Sequence, residues 1–200
     1  MEYSDSTEKV ARYFDGRAAE WELMERSTSS PLQPAVALMA GAGEGAAVLD
    51  VGSGLGVMVP AYLDAGVQRV LGVDVSPEMA ARANERWAHC PQVGFLAADI
   101  AHLETDERFD AVVIYNAYPH LMEREALVAN CVRLLREGGR FIVAHSTSRQ
   151  AINSHHEAVA AGVSLGLQPA AREAEVWEGP FAIDVLVDTP AFYAFGGAKR

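Results

Sequence analysis

Three glycines at alternate positions, Gly52, Gly54 and Gly56, follow directly on the run Val48-Leu49-Asp50-Val51. A mostly apolar run of this kind suits a strand buried on both faces. The glycines stop that strand, force a sharp turn and let backbone come within contact distance of a ligand. The expectation is a small-molecule pocket at the tip of a central parallel strand. A second group of chemistry-bearing residues lies further on. His120 closes Tyr115-Asn116-Ala117-Tyr118-Pro119-His120, His145 opens His145-Ser146-Thr147-Ser148-Arg149, and His155 and His156 follow. Arg149, Asn153 and His156, spaced by four and three, share one face of a helix, with Ile152 and Val159 on a neighbouring apolar stripe. Three roles stay open for these imidazoles: general base, ligands of a divalent metal, and hydrogen-bonded structural groups. His155 reads as a bystander, and His89 and His102 as surface residues.

The elements that must position these groups alternate along the chain. Val10, Tyr13, Phe14, Ala18, Trp21 and Met24 recur at helical spacing over residues 7–25, predicting one amphipathic helix that either packs on the sheet or closes over the pocket as a lid. Ser29, Ser30, Pro31 and Pro34 lead into a short helix through Leu38 that stops in the glycine-rich stretch Gly41 to Gly45. Strands are expected at Val48–Val51, Arg69–Asp74, Val93–Ala97, Phe109–Tyr115 and Phe141–Ala144. Helices between them run from near Val57 to Gly66, from Pro77 behind an N-capping Ser76, and over Leu121 to Glu137 with a Gly138-Gly139 stop. Ser148 can cap a helix to about Gly162, and Pro169 interrupts regular structure. Phe181–Val187 and Phe192–Gly197 are so closely spaced that they must form an antiparallel hairpin. The predicted fold is a single α/β domain over 1–200: a three-layer Rossmann-like sandwich, with a mostly parallel seven-stranded sheet, an antiparallel C-terminal strand, a helical cap over 1–40 and a core over 46–200.

Composition narrows the class. The 200 residues are 50% hydrophobic and carry a net charge of -11, from 27 acidic and 16 basic side chains, with no basic stripe to neutralise phosphates, so nucleic acid is not an expected partner. No run of about 18 apolar residues would span a membrane, and the polar, acidic start is unlike a signal peptide, so a cytoplasmic protein is expected. Cys90 and Cys131 suggest neither a disulfide framework nor a thiolate metal site. Oligomeric state does not follow from the sequence, and a homodimer stays open.

Four motifs in order resemble those of class I S-adenosylmethionine-dependent methyltransferases over essentially the full length: Val48 to Gly56, Leu71-Gly72-Val73-Asp74-Val75-Ser76, Ala98-Asp99-Ile100, and Leu134-Leu135-Arg136-Glu137-Gly138-Gly139-Arg140. The resemblance implies S-adenosylmethionine as donor. Gly52, Ser53, Gly54 and Gly56 would border its methionine half, with Asp50 steadying the turn. Asp74 would meet the ribose, with Val75 also in the donor site, and Asp99 would take the adenine amino group with Met79 and Ile100 against the ring. Asn116 is also counted among the donor-binding residues. His120, His145, His156, Asn153 and Arg149 become the acceptor-side candidates, bordering the crevice where open α/β sheets bind ligands. The alternatives are a nicotinamide-dependent oxidoreductase, whose G-x-G-x-x-G spacing is not met because Gly56 comes one position early, and a non-catalytic donor- or metal-binding protein. Tyr115-Asn116-Ala117-Tyr118 lacks the Asn/Asp-Pro-Pro-Tyr signature of enzymes that methylate planar amide or adenine nitrogens. The Pro119-His120 and His145 to His156 pattern resembles a bacterial small-molecule group, so the expected acceptor is an O, N or S atom of a small metabolite.

Overall fold

Each half of the sheet begins beside the same strand. β1 (Ala47–Val51) pairs in parallel with β2 (Arg69–Asp74) on one side and with β4 (Phe109–Tyr115) on the other, and the full order is β3 (Val93–Ala97), β2, β1, β4, β5 (Leu135–His145), β7 (Tyr193–Lys199), β6 (Phe181–Asp188). The order reverses between β1 and β4, which opens a crevice at their carboxyl ends. All strands run one way except β7, which is antiparallel to both β5 and β6. The computed structural model describes residues 3–28, 31–159 and 162–200, without the side chains of 24–28 and 159. Ser29, Ser30, the Met24 side chain and the stretch just before Gly162 therefore lie outside the described residues.

Helices cover both faces because the strands are apolar on both. Val48, Val70, Ala111, Val113 and Ile142 pack against α3 (Gln33–Met39) and α4 (Val59–Asp64) through Val36, Ala37, Ala61 and Tyr62. On the opposite face Leu49, Leu71, Val112 and Phe141 meet α6 (Arg124–Leu134) and α8 (Ala170–Ala174) through Leu127, Cys131, Ala170 and Ala174. Trp177 is fully buried there and stacks on Phe141 with ring centroids 4.0 Å apart. The buried Cys131 thiol, pushed up to about 12 by desolvation, behaves as a small core side chain. α5 (Pro77–Arg86) starts as expected, with Met79 N donating to the Ser76 side chain at 3.1 Å.

Three stretches differ from expectation. The helix over 7–25 is two helices, α1 (Asp5–Asp15) and α2 (Ala18–Thr28), because Gly16 caps the first and its amide bonds back to Arg12 O at 3.2 Å. α6 ends at Leu134 instead of Glu137. Buried Leu135 takes an extended conformation and pairs with Phe109, so Gly138, at φ 74, bends an irregular strand instead of capping a helix. α8 follows Pro169, which serves as its N-cap, where an interruption was expected. α7 (Arg149–Val159) begins as predicted, with Ala151 N donating to Ser148 Oγ at 3.2 Å.

Candidate functional site

A cavity of about 540 Å³ sits at the carboxyl ends of β1, β2 and β4, roofed by α1 and the start of α2 and bordered by α7. Of the residues the resemblance assigns to a donor, Gly52, Ser53, Gly54, Asp74, Val75, Met79, Asp99, Ile100 and Asn116 line it. Asp50 and Gly56 do not. Asp50 is buried in the sheet, where its carboxylate and burial together hold the Tyr62 phenol well above its ordinary range. Gly56 lies under Trp87: a Cβ there would sit 2.6 Å from the indole nitrogen, which itself donates to Leu55 O at 3.0 Å.

Asp74 organises this end. At the tip of β2 it accepts from Gly54 N through Oδ2 and from Ser76 N through Oδ1, both at 2.9 Å, so one carboxylate joins the glycine turn to the cap of α5. Burial raises its pKa, and the two amides work against that rise by favouring the charged form. The turn's own amides are committed as well. Gly52 N and Ser53 N both donate to Val73 O, at 2.8 and 3.2 Å, and Gly56 N donates to Ser53 O at 2.8 Å. A phosphate-cradling loop keeps such amides for its ligand, whereas this one spends them on the protein. What the turn does offer is close approach and the buried Ser53 hydroxyl, which has no partner among the described residues. Gly52, at φ 66, leaves room for Ala117, whose Cβ would lie 2.3 Å from a side chain placed there. Asp99, at the end of β3, accepts from Ala101 N at 2.9 Å through one oxygen and from Thr7 Oγ1 of α1 at 3.0 Å through the other. Asn116 has φ 56, an unusual conformation for a residue with a side chain, and its amide holds Ser146 N at 2.9 Å.

The other end is built from segments far apart in the chain. His120 and His156 line the cavity, and so does His155, which the sequence marks as a bystander. Phe14 stands edge-on to His120 at 5.0 Å, to Tyr13 at 5.2 Å and to Trp21 at 5.5 Å, a continuous aromatic wall from the roof. His120 Nδ1 lies 2.7 Å from Val163 O. A carbonyl can only accept, so the proton is on Nδ1 and Nε2 keeps its lone pair. Burial is the main cause that lowers the His120 pKa to about 4, opposed by the Val163 bond, with the neighbouring His156 and Arg124 adding to the fall. His156 Nδ1 is 2.7 Å from Ser164 Oγ, its pKa is also lowered by burial, and its ring centroid is 4.8 Å from that of His120.

Three expected acceptor-side residues do not reach the cavity. His145 is buried at the end of β5, edge-on to Tyr193, with Nε2 unpartnered among the described residues and burial pulling its pKa to about 3. Asn153 instead clamps the 162–167 loop, donating to Leu167 O at 3.0 Å and accepting from Leu167 N at 2.8 Å. Arg149 pairs with Asp188 at 3.1 Å. A shared helix face does not ensure a shared neighbour: in each case a backbone or acid from a later segment captures the side chain. Nor do the histidines bring three ligand atoms within coordinating reach. Among the described residues that arrangement occurs at Asp99, His102 and Glu123, so His120, His145, His155 and His156 gain no support as metal ligands. Thr7, Arg17 and Leu121 also line the cavity without any sequence signal of their own, and Tyr115, which opens the expected segment at the end of β4, lines it too. The nearest hint is Gly16, which interrupts an otherwise regular helix and turns Arg17 inward.

Residues 49–143 match a family described as a methyltransferase domain. The chain is 30% identical over 142 residues to the demethylmenaquinone methyltransferase of Renibacterium salmoninarum, covering 68% of this chain and 58% of that protein. It is 33% identical to the phosphatidylethanolamine N-methyltransferase of Cereibacter sphaeroides, over 52% of this chain and 53% of that one. The chain thus spans little more than half the length of these relatives. Among solved structures, a Haloferax volcanii protein described as a putative methyltransferase, in complex with the Trm112 methyltransferase activator, superposes with a TM-score of 0.75 at 22% identity, over 93% of this chain and 97% of that one. The magnesium protoporphyrin IX methyltransferase of Synechocystis with bound SAH gives 0.73 at 18% identity, over 98% and 100%. These two likenesses establish the fold.

Proposed function

We propose, from the methyltransferase-domain match and the relatives above, that the chain is a class I S-adenosylmethionine-dependent methyltransferase that transfers the donor's methyl group to an O, N or S atom of a small-molecule acceptor, as a cap over residues 1–40 on a core over 46–200. The observation that carries the donor side is the pair of carboxylates on adjacent strand tips. Asp74 faces the cavity already tied to the glycine turn, and Asp99 faces it beside Ile100. An ionised carboxylate accepts two hydrogen bonds and so suits a ribose diol at Asp74 and an amino group at Asp99, with Met79 and Ile100 as apolar walls. Ser53 Oγ and Gly54 would border the methionine half.

The sulfonium supplies an already activated methyl group, so the protein's task is alignment and removal of a proton. As the acceptor heteroatom bonds to the methyl carbon, the carbon–sulfur bond breaks and its electron pair goes to sulfur. The acceptor's proton passes to His120 Nε2, the ring nitrogen left free by the Val163 bond. The depressed pKa of His120 fits an acceptor whose proton becomes acidic as the bond forms, and His156, its ring tilted against that of His120, shares the wall. A cytoplasmic location belongs to this reading, and among the described residues no helix is long and apolar enough to cross a membrane. The oxidoreductase alternative is disfavoured by the glycine-turn amides, which are used within the protein. A thermal-shift comparison tests the choice. S-adenosylhomocysteine at 100 times its dissociation constant should add about 2.7 kcal/mol of stability, and a shift with NADH but not with S-adenosylhomocysteine would overturn the proposal.

A further inference from the structure

Arg17 is the sole lysine or arginine lining the cavity among the described residues. It follows Gly16 in the break between α1 and α2, is half-buried, and lies with its guanidinium carbon 3.9 Å from the centre of the Tyr13 ring. In a chain with 27 acidic and 16 basic residues, arginines readily find acids. Arg12, Arg69, Arg82, Arg136, Arg140, Arg149 and Arg172 each pair with a carboxylate. The Arg17 guanidinium pairs with none among the described residues, although it lines the cavity. His120 and His156, with pKa values lowered by burial, are neutral at pH 7 and supply no competing cation. Trp21, one helical turn beyond Arg17, reaches the glycine turn: its indole nitrogen is 3.7 Å from where a Cβ on Gly54 would stand. The segment that carries Arg17 therefore seats directly on the ligand-facing backbone.

We infer that Arg17 is the carboxylate-recognition residue of this cavity, its planar guanidinium held over Tyr13 with the N–H fork left for a bound carboxylate. The inference rests on the methyltransferase reading for the identity of the ligands. Two sources offer that carboxylate: the aminocarboxylate end of the donor, and an acidic group on the acceptor. Either way the positive charge is supplied by the N-terminal cap, so cap and ligand hold each other in place.

Calorimetric titration with S-adenosylmethionine and with its decarboxylated analogue, which keeps the amine and lacks the carboxylate, separates the sources. If the donor supplies the carboxylate, the wild-type protein prefers S-adenosylmethionine by roughly 10- to 100-fold. Arg17→Met then binds the two equally, and Arg17→Lys restores part of the preference. If the acceptor supplies it, both donors bind wild type and Arg17→Met alike, while wild type saturated with S-adenosylmethionine binds benzoate over benzamide and Arg17→Met does not. If neither preference depends on Arg17 in variants whose melting curves match wild type, the inference is overturned. Failure of wild type to bind either adenosyl compound would instead overturn the methyltransferase reading.

Discussion

The two ends of the cavity are built by opposite strategies. At the Asp74 end, each element that contributes sits at the tip of a strand or in the turn behind it, and the groups are tied by backbone hydrogen bonds of 2.8 to 3.2 Å before any ligand arrives. At the His120 end, the walls come from α1, the 118–120 turn, α7 and the 162–167 loop, held by side chains reaching across more than 40 residues of sequence, as His120 reaches Val163. A sheet positions groups through its own register, whereas the second end depends on a few long-range clamps. The first is therefore rigid and suited to an invariant ligand. The second can change with a handful of substitutions, as expected of the end that sets acceptor identity.

That contrast predicts a double dissociation. Asp74→Ala removes the link between the glycine turn and the α5 cap and should weaken S-adenosylhomocysteine binding by about 1,000-fold, from two lost charge-assisted contacts and a loosened turn. His120→Gln should leave that affinity within about twofold of wild type while lowering kcat by about 100-fold. Equal losses in both variants, measured by calorimetry and initial rates, would abolish the distinction between the ends.

Acid should act through two buried histidines, one at the second end of the cavity and one behind it. His120 and His145 have folded-state pKa values near 4 and 3 against an ordinary 6.5, both mainly through burial. Below pH 6.5 the unfolded chain takes up protons that the folded one refuses, so stability is full above that value and falls toward pH 4, by roughly 1.4 kcal/mol per pH unit for each histidine at most. Melting temperatures from pH 8 to 4.5 would show this, and His120→Asn, which has no titrating ring, should reduce the slope. An unchanged slope would mean that His120 is exposed to protons in the folded state.

The smallest effects separate clamp from surface. Asn153→Ala leaves Leu167 N and O without their partner and should cost about 1 to 2 kcal/mol while raising the acceptor KM through the displaced 162–167 loop. Arg149→Ala removes a partly exposed ion pair with Asp188 and should cost no more than about 0.5 kcal/mol. Reversal of that order in chemical denaturation would make Arg149 part of the site.

The same contrast decides how much could be read from the sequence. The bounds of β2, β3 and β4 and the Ser76 cap follow from apolar runs closed by residues with one dominant local role, and the order of strand tips brings Asp74 and Asp99 to one crevice. Where tertiary contacts override local preference, the pattern misleads. Leu135 leaves a helix that its spacing would continue, to pair with Phe109, and Pro169 starts a short helix whose Ala170 and Ala174 join the core around Trp177. Arg149, Asn153 and His156 do lie at helical spacing, yet only His156 meets the cavity, since spacing says nothing about which later segment arrives to take up a neighbour. Arg17 has no pattern at all, because its importance comes from an acid that is missing.

β7 has a consequence for the order in which the molecule can be completed. It lies inside the sheet, between β5 and β6, and is the sole strand that β6 touches. During synthesis β6 leaves the ribosome with no neighbour to pair with, and an aggregation-prone edge stays open on β5 until the seven residues of β7 have followed. A truncation before Tyr193 would therefore leave both β6 and the exposed side of β5 without a partner.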